Sequence, residues 1–140
     1  MKKLLLLLVI ATLFISCNTN DDAPISQEVS LLGNWRLVEY LADPGDGSGE
    51  YIAITSDKTL TFNSNGEITS NYSLCNMLVI VDPEPSSGTY STTTGIIDVP
   101  NCPNASPLAI RFETSNEGNL IIYYPCIEGC SEKYIKQEEL

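Results

Sequence analysis

The chain has 140 residues, enough for one domain with tails, and carries 7 Lys and Arg against 18 Asp and Glu for a formal net charge of −11. So acidic a chain repels phosphate backbones, which argues against nucleic acid as a partner. Histidine is absent, removing the commonest general base, the commonest metal ligand and every histidine-dependent triad.

Residues 1–16 read as a secretory signal: Lys2 and Lys3 supply the positive end, and the apolar run at 4–13 falls short of the roughly 20 residues of a membrane span. Phe14-Ile15-Ser16-Cys17 then resembles the lipobox of bacterial lipoproteins, with a small residue before the cysteine that is lipidated and becomes the new N-terminus. Phe14 stands where that family usually has Leu. The competing reading is an ordinary signal peptide with an unrelated cysteine nearby. Lipidation of Cys17 implies more than one acyl chain (palmitate or a similar fatty acid), as stable anchoring requires. Residues 17–27 form a polar stretch without periodicity, expected as a flexible acidic tether. Asp21 and Asp22 behind the cysteine resemble the acidic export signal of surface lipoproteins in Bacteroidota; a plain solvated linker explains them equally well.

From residue 30 onward the pattern is β. Trp35, Leu37 and Leu41 recur at period 2, with Arg36, Val38 and Tyr40 on the opposite face, and Gly33 allows a sharp turn into this strand. Trp35, the one tryptophan, is expected to lie across the bottom of the later strands as a core residue rather than a ligand contact. Asp43, Asp46, Ser48 and Glu50 give the next loop a likeness to a calcium site, but the spacing fails the EF-hand pattern, and a mobile loop is the better reading. Strands are expected at 51–55, 58–62 (Leu60 and Phe62 inward) and 67–72, the last two joined by a tight Asn65-Gly66 turn. The apolar run 74–81 gives a fifth strand, and the loop 82–88 holds two prolines that exclude a central strand.

A hairpin at 89–93 and 95–99 turns near Thr94-Gly95. The three prolines and cysteine of 100–107 suggest a covalently pinned loop. Leu108, Ile110 and Phe112 alternate in a half-buried strand, 120–124 is continuously apolar and therefore central, and 132–137 closes the set around Tyr134 and Ile135. Residues 28–137 thus form the β domain and 138–140 a solvated tail. The expected fold is all-β, an up-and-down antiparallel barrel or coiled meander of about eight strands, its interior largely filled by its own side chains.

Four further cysteines, Cys75, Cys102, Cys126 and Cys130, read as two disulfides in an exported protein. Cys126 and Cys130 flank what looks like a three-residue hairpin loop with Gly129 in the left-handed position, which places them face to face. Cys75 and Cys102 then pair by elimination. A four-thiolate zinc site is the alternative, weakened by having one tight pair instead of two, and the C-x-x-x-C spacing argues against a redox role.

At Gly33-Asn34-Trp35 the chain resembles lipocalins, whose first strand carries Gly-x-Trp. With the lipobox, the 43–49 loop and the closing 125–130 segment, it looks most like the small lipocalin-like lipoproteins of Bacteroidota; a META-type envelope domain is the close competitor. The resemblance implies a lipid-anchored outer-membrane location, periplasmic or surface-exposed. Two functions stay open. One is a non-catalytic binding or interaction module that meets an envelope protein or other partner through loops at one barrel end or a small pocket near Trp35. The other is a carrier of a small hydrophobic ligand or lipid. An empty apolar cavity would favour the carrier, and a filled interior the module. No nucleophile–base pair, metal cluster or phosphate loop can be assembled, so no enzyme activity, cofactor or metal is expected.

Overall fold

The computed structural model describes residues 30–77, 84–100, 102 and 109–138, and among them are nine strands and no helix. The strands are β1 (Gly33–Ala42), β2 (Ile52–Ala53), β3 (Thr59–Phe62), β4 (Glu67–Ser70), β5 (Ser86–Ser91), β6 (Ile96–Asp98), β7 (Ile110–Thr114), β8 (Leu120–Tyr123) and β9 (Cys130–Lys136). Every pairing is antiparallel and, from β3 to β9, each strand pairs with the next in sequence. β1 pairs with both β3 and β9, so eight strands close into an up-and-down barrel, as expected of a lipocalin-like fold. β2 is the extra strand, paired with β1 at Glu39 and Tyr40 on the edge that β3 occupies lower down.

Turn chemistry fixes the register at one end. Gly33 enters β1 at a φ of 105°, a region open to glycine. Gly66, at a φ of 84°, closes the β3–β4 hairpin, where the Asn63 N–H donates to the Glu67 carbonyl at 2.9 Å. Gly95 (φ 65°) and Gly118 (φ 80°) do the same for β5–β6 and β7–β8. These short turns gather at one end of the barrel, here the turn end.

Alternation then drives one set of side chains inward. Trp35, Leu37, Leu60, Phe62, Ile68, Ile97, Leu120, Ile122 and Tyr134 are buried in one continuous cluster. Each large side chain removed from water contributes about 1.5–3 kcal/mol. At the turn end Phe62 packs on Tyr90 and Phe112, with ring centroids 4.9 and 5.5 Å away. Trp35 is fully buried, and its indole N–H donates to the Leu31 carbonyl at 2.8 Å. Lys136 stands 4.8 Å from the Trp35 ring and donates to the carbonyls of Ser30 and Leu32. Trp35 is the core residue its strand pattern indicates.

Several expectations need correction. The period-2 reading of β1 breaks after Leu37, where a bulge shifts the register against β9. Beyond it Tyr40 opposes the buried Glu132, so Tyr40, not Leu41, shares the inner face. Residues 74–77 form no strand although Leu74 is buried, and 78–81 lie outside the described residues. β5 begins at Ser86, inside the stretch read as a proline loop, because both prolines precede it. β9 begins at Cys130 rather than at 132. Gly129 does not adopt a left-handed backbone. The Tyr124 N–H donates to the Cys130 carbonyl, extending the β8–β9 ladder by one rung, so the loop is longer than the three residues between the cysteines. Leu108, most of the 100–107 loop, the 1–16 signal, Cys17 and the 17–27 tether lie outside the described residues.

Candidate functional site

The described residues of the long connections, 43–51, 71–77 with 84–85, 99–100 with 102 and 109, and 124–129, lie at the barrel end opposite the turns, the loop end. Both disulfides are there. Cys75–Cys102, with Cα atoms 5.4 Å apart, ties the β4–β5 connection to the β6–β7 connection. Cys126–Cys130, with Cα atoms 6.1 Å apart, cinches the β8–β9 connection. The four cysteines therefore bridge as expected and do not form a zinc site, although the hairpin geometry invoked for the second pair is not what brings it together.

Beneath these loops lies a cluster that pattern reading missed. Lys58 Nζ donates to Glu132 Oε1 at 3.0 Å and Oε2 at 2.8 Å, with both side chains shut off from solvent. The Tyr124 and Tyr134 hydroxyls donate to the same Glu132 Oε2 at 2.8 and 2.6 Å. Strand geometry puts Lys58 there: the Leu37 N–H donates to the Lys58 carbonyl at 3.1 Å, which continues the β1–β3 ladder one residue beyond Thr59. The side chain is thereby turned inward across the barrel to β9. A signal for Glu132 existed, since it sits two residues before the core residue Tyr134 and must share its face. Lys58 carried the same signal, since it stands two residues before the inward Leu60 of the expected 58–62 strand.

Burial pulls the Lys58 ammonium below its ordinary value, against the attraction of Glu132. Burial pushes the Tyr124 hydroxyl well above its usual range, reinforced by the charge and hydrogen bond of Glu132. Tyr134 is pushed up in the same way, by burial first and then by Tyr124 and Glu132. Among the described residues no buried side-chain nitrogen or oxygen lacks a partner. A saturated network sealed from water locks strands together.

The 43–49 loop is organised by Asp43. Its Oδ1 accepts the N–H groups of Gly45 and Gly47 at 2.6 and 3.1 Å, and its Oδ2 that of Gly49 at 2.8 Å. These backbone donors, Gly49 foremost, hold the carboxyl below its ordinary value. Asp46 Oδ1 accepts the backbone N–H of Ser48 at 2.9 Å and also its hydroxyl. Both Asp43 oxygens and Asp46 Oδ1, which helped give the loop its calcium-like look, are thus engaged by the loop itself. The Asp43 N–H donates to the Gly129 carbonyl at 2.8 Å, so this loop and the Cys126–Cys130 loop support one another.

Outside the core, a cleft of about 440 Å³ opens between the outer face of β7–β8 and the Cys126–Cys130 loop. Arg111 and Tyr123, directly opposite on the two strands, form one wall, with the Arg111 guanidinium 6.0 Å from the Tyr123 ring. Pro125 and the Cys126–Cys130 bridge form the other. The Tyr123 hydroxyl donates to Glu113 at 2.6 Å; partial burial and that carboxylate push its pKa up to about 12.

Compared with family models, curated proteins and solved structures, the chain matches none of them.

Proposed function

We propose that the protein is an outer-membrane-anchored lipoprotein whose barrel is a non-catalytic binding or interaction module. One observation carries the choice of module over carrier: the inward-facing side chains pack on one another as a single cluster. Trp35, Phe62 and Tyr134 fill the barrel from the turn end, and the Lys58–Glu132 pair occupies it toward the loop end. Space inside an eight-stranded barrel is small, and these side chains take it up. Binding then falls to the outer surface of the loop end, where two disulfides brace the connections. The anchor rests on the order of charged, apolar and small residues before Cys17.

The test has two arms. Cys17→Ser is expected to leave the membrane fraction after a carbonate wash; a variant that still sediments contradicts the anchor. Solvent extraction of the purified protein is expected to release no lipid beyond chains bound covalently at Cys17. A stoichiometric free lipid would favour the carrier instead.

A further inference from the structure

We infer that the cleft between β7–β8 and the Cys126–Cys130 loop binds a small organic anion, a carboxylate carried on a flat apolar body. The inference deepens the binding-module reading and rests on it. The volume, about 440 Å³, falls within the range of roughly 300–1,000 Å³ typical of small-molecule sites. Its walls have the usual make-up of such sites: an aromatic ring, a proline and a disulfide, with few charges.

The charges decide the ligand's sign. Only five cationic side chains lie outside the leader, Arg36, Lys58, Arg111, Lys133 and Lys136, against 18 carboxylates in the chain. Lys58 is paired with Glu132, Lys133 with Glu39, and Lys136 is spent on backbone carbonyls over Trp35. Arg111 lines the cleft and, among the described residues, has no carboxylate within ion-pair distance. Its neighbour Glu113 is engaged by the Tyr123 hydroxyl. Glu128, the cleft's own carboxylate, packs against Gly45 of the 43–49 loop, where an added Cβ would strike it. Arg111 is thus the one cation among the residues that line the cleft, and its guanidinium is a planar fork of N–H donors that fits a carboxylate at two points. Tyr123 beneath it offers a ring face to the ligand's flat body.

A ligand in the cleft is distinguishable from one inside the barrel because Trp35 lies buried toward the opposite end. The experiment follows the full chain in detergent micelles by NMR during titration with benzoate and with benzamide, beside an Arg111→Gln variant. Benzoate is expected to give saturable shifts at Arg111, Tyr123 and residues 125–130, leaving the Trp35 indole unmoved. Benzamide and the Arg111→Gln variant are expected to bind at least about tenfold more weakly, the scale of one charge-assisted contact. No saturable benzoate shift, or equal binding of acid and amide, overturns the anion site and leaves the module reading standing. Saturable shifts centred on Trp35 would overturn both, since the ligand would then be inside the barrel.

Discussion

Lys58 Nζ lies 2.8 Å from Glu132 Oε2 across 74 residues of sequence, and both side chains are sealed inside the barrel. This contact joins the start of β3 to the closing strand β9, which also pairs with β1. Removing one partner strands a charge without water. Lys58→Met is therefore expected to cost about 3–5 kcal/mol in urea denaturation. Lys58→Met with Glu132→Gln keeps an acceptor for the two tyrosine hydroxyls and is expected to recover at least half of that loss. Equal stability of the single variant and its parent would mean the pair contributes nothing.

Alkaline pH tests the same cluster through its tyrosines. Unfolded tyrosines ionise near pH 10, whereas Tyr124 and Tyr134 are held well above that and Tyr123 at about 12. The folded state thus keeps protons that the unfolded chain gives up, so this stabilisation is full below pH 10 and is lost as pH climbs toward the folded values. Lys58 works the other way, because its lowered value means the folded state releases its proton first, and its contribution rises with pH. That rise ends near 10.5, where the unfolded lysine has also deprotonated. Above it only the tyrosine slopes remain. The urea midpoint is expected to fall between pH 10.5 and 12, with Tyr124 and Tyr134 ionising only as the fold opens. A midpoint flat over that interval would contradict the burial of these hydroxyls.

How much of this the sequence foretold varies with the physics. Strands with clean alternation, such as Leu60 and Phe62 in β3, were legible because burial of one face writes itself into residue type. The Asn65-Gly66 turn was legible for the same kind of reason, a backbone requirement that few residues meet. The bulge after Leu37 was not, since Val38 has nothing in its chemistry that announces an extra residue, and it moved Tyr40 rather than Leu41 to the inner face. In the candidate cleft, Cys126 and Cys130 were found through spacing, while Arg111 and Tyr123 were invisible as partners until the β7–β8 register placed them opposite each other.

The two disulfides are expected to differ in their contribution to stability. Cys75–Cys102 closes a separation of 27 residues and Cys126–Cys130 one of 4. In the chain-entropy picture, the first is worth about 3–4 kcal/mol and the second about 2 kcal/mol or less. Replacing each pair by alanines and comparing thermal melting checks this; a larger loss from the short bridge would show that it holds more than its own loop.

Trp35 plugs the turn end, with Lys136 lying over its ring. Trp35→Ala is expected to cost about 3–5 kcal/mol. Lys136→Met keeps most of the stem packing while removing the cation, so it is expected to cost about 1 kcal/mol. Unchanged melting of Trp35→Ala would contradict a core role.

The filled interior is tested most directly with a fluorescent polyene fatty acid, cis-parinaric acid, added to the Cys17→Ser, Arg111→Gln protein free of detergent, so that the outer cleft lacks the cation that would hold its carboxylate. Trp35, the single tryptophan, sits inside the barrel and would transfer energy to any fatty acid lodged there. A barrel occupied by its own side chains predicts no saturable transfer from Trp35. Saturable transfer at one fatty acid per protein would contradict it and make the protein a carrier.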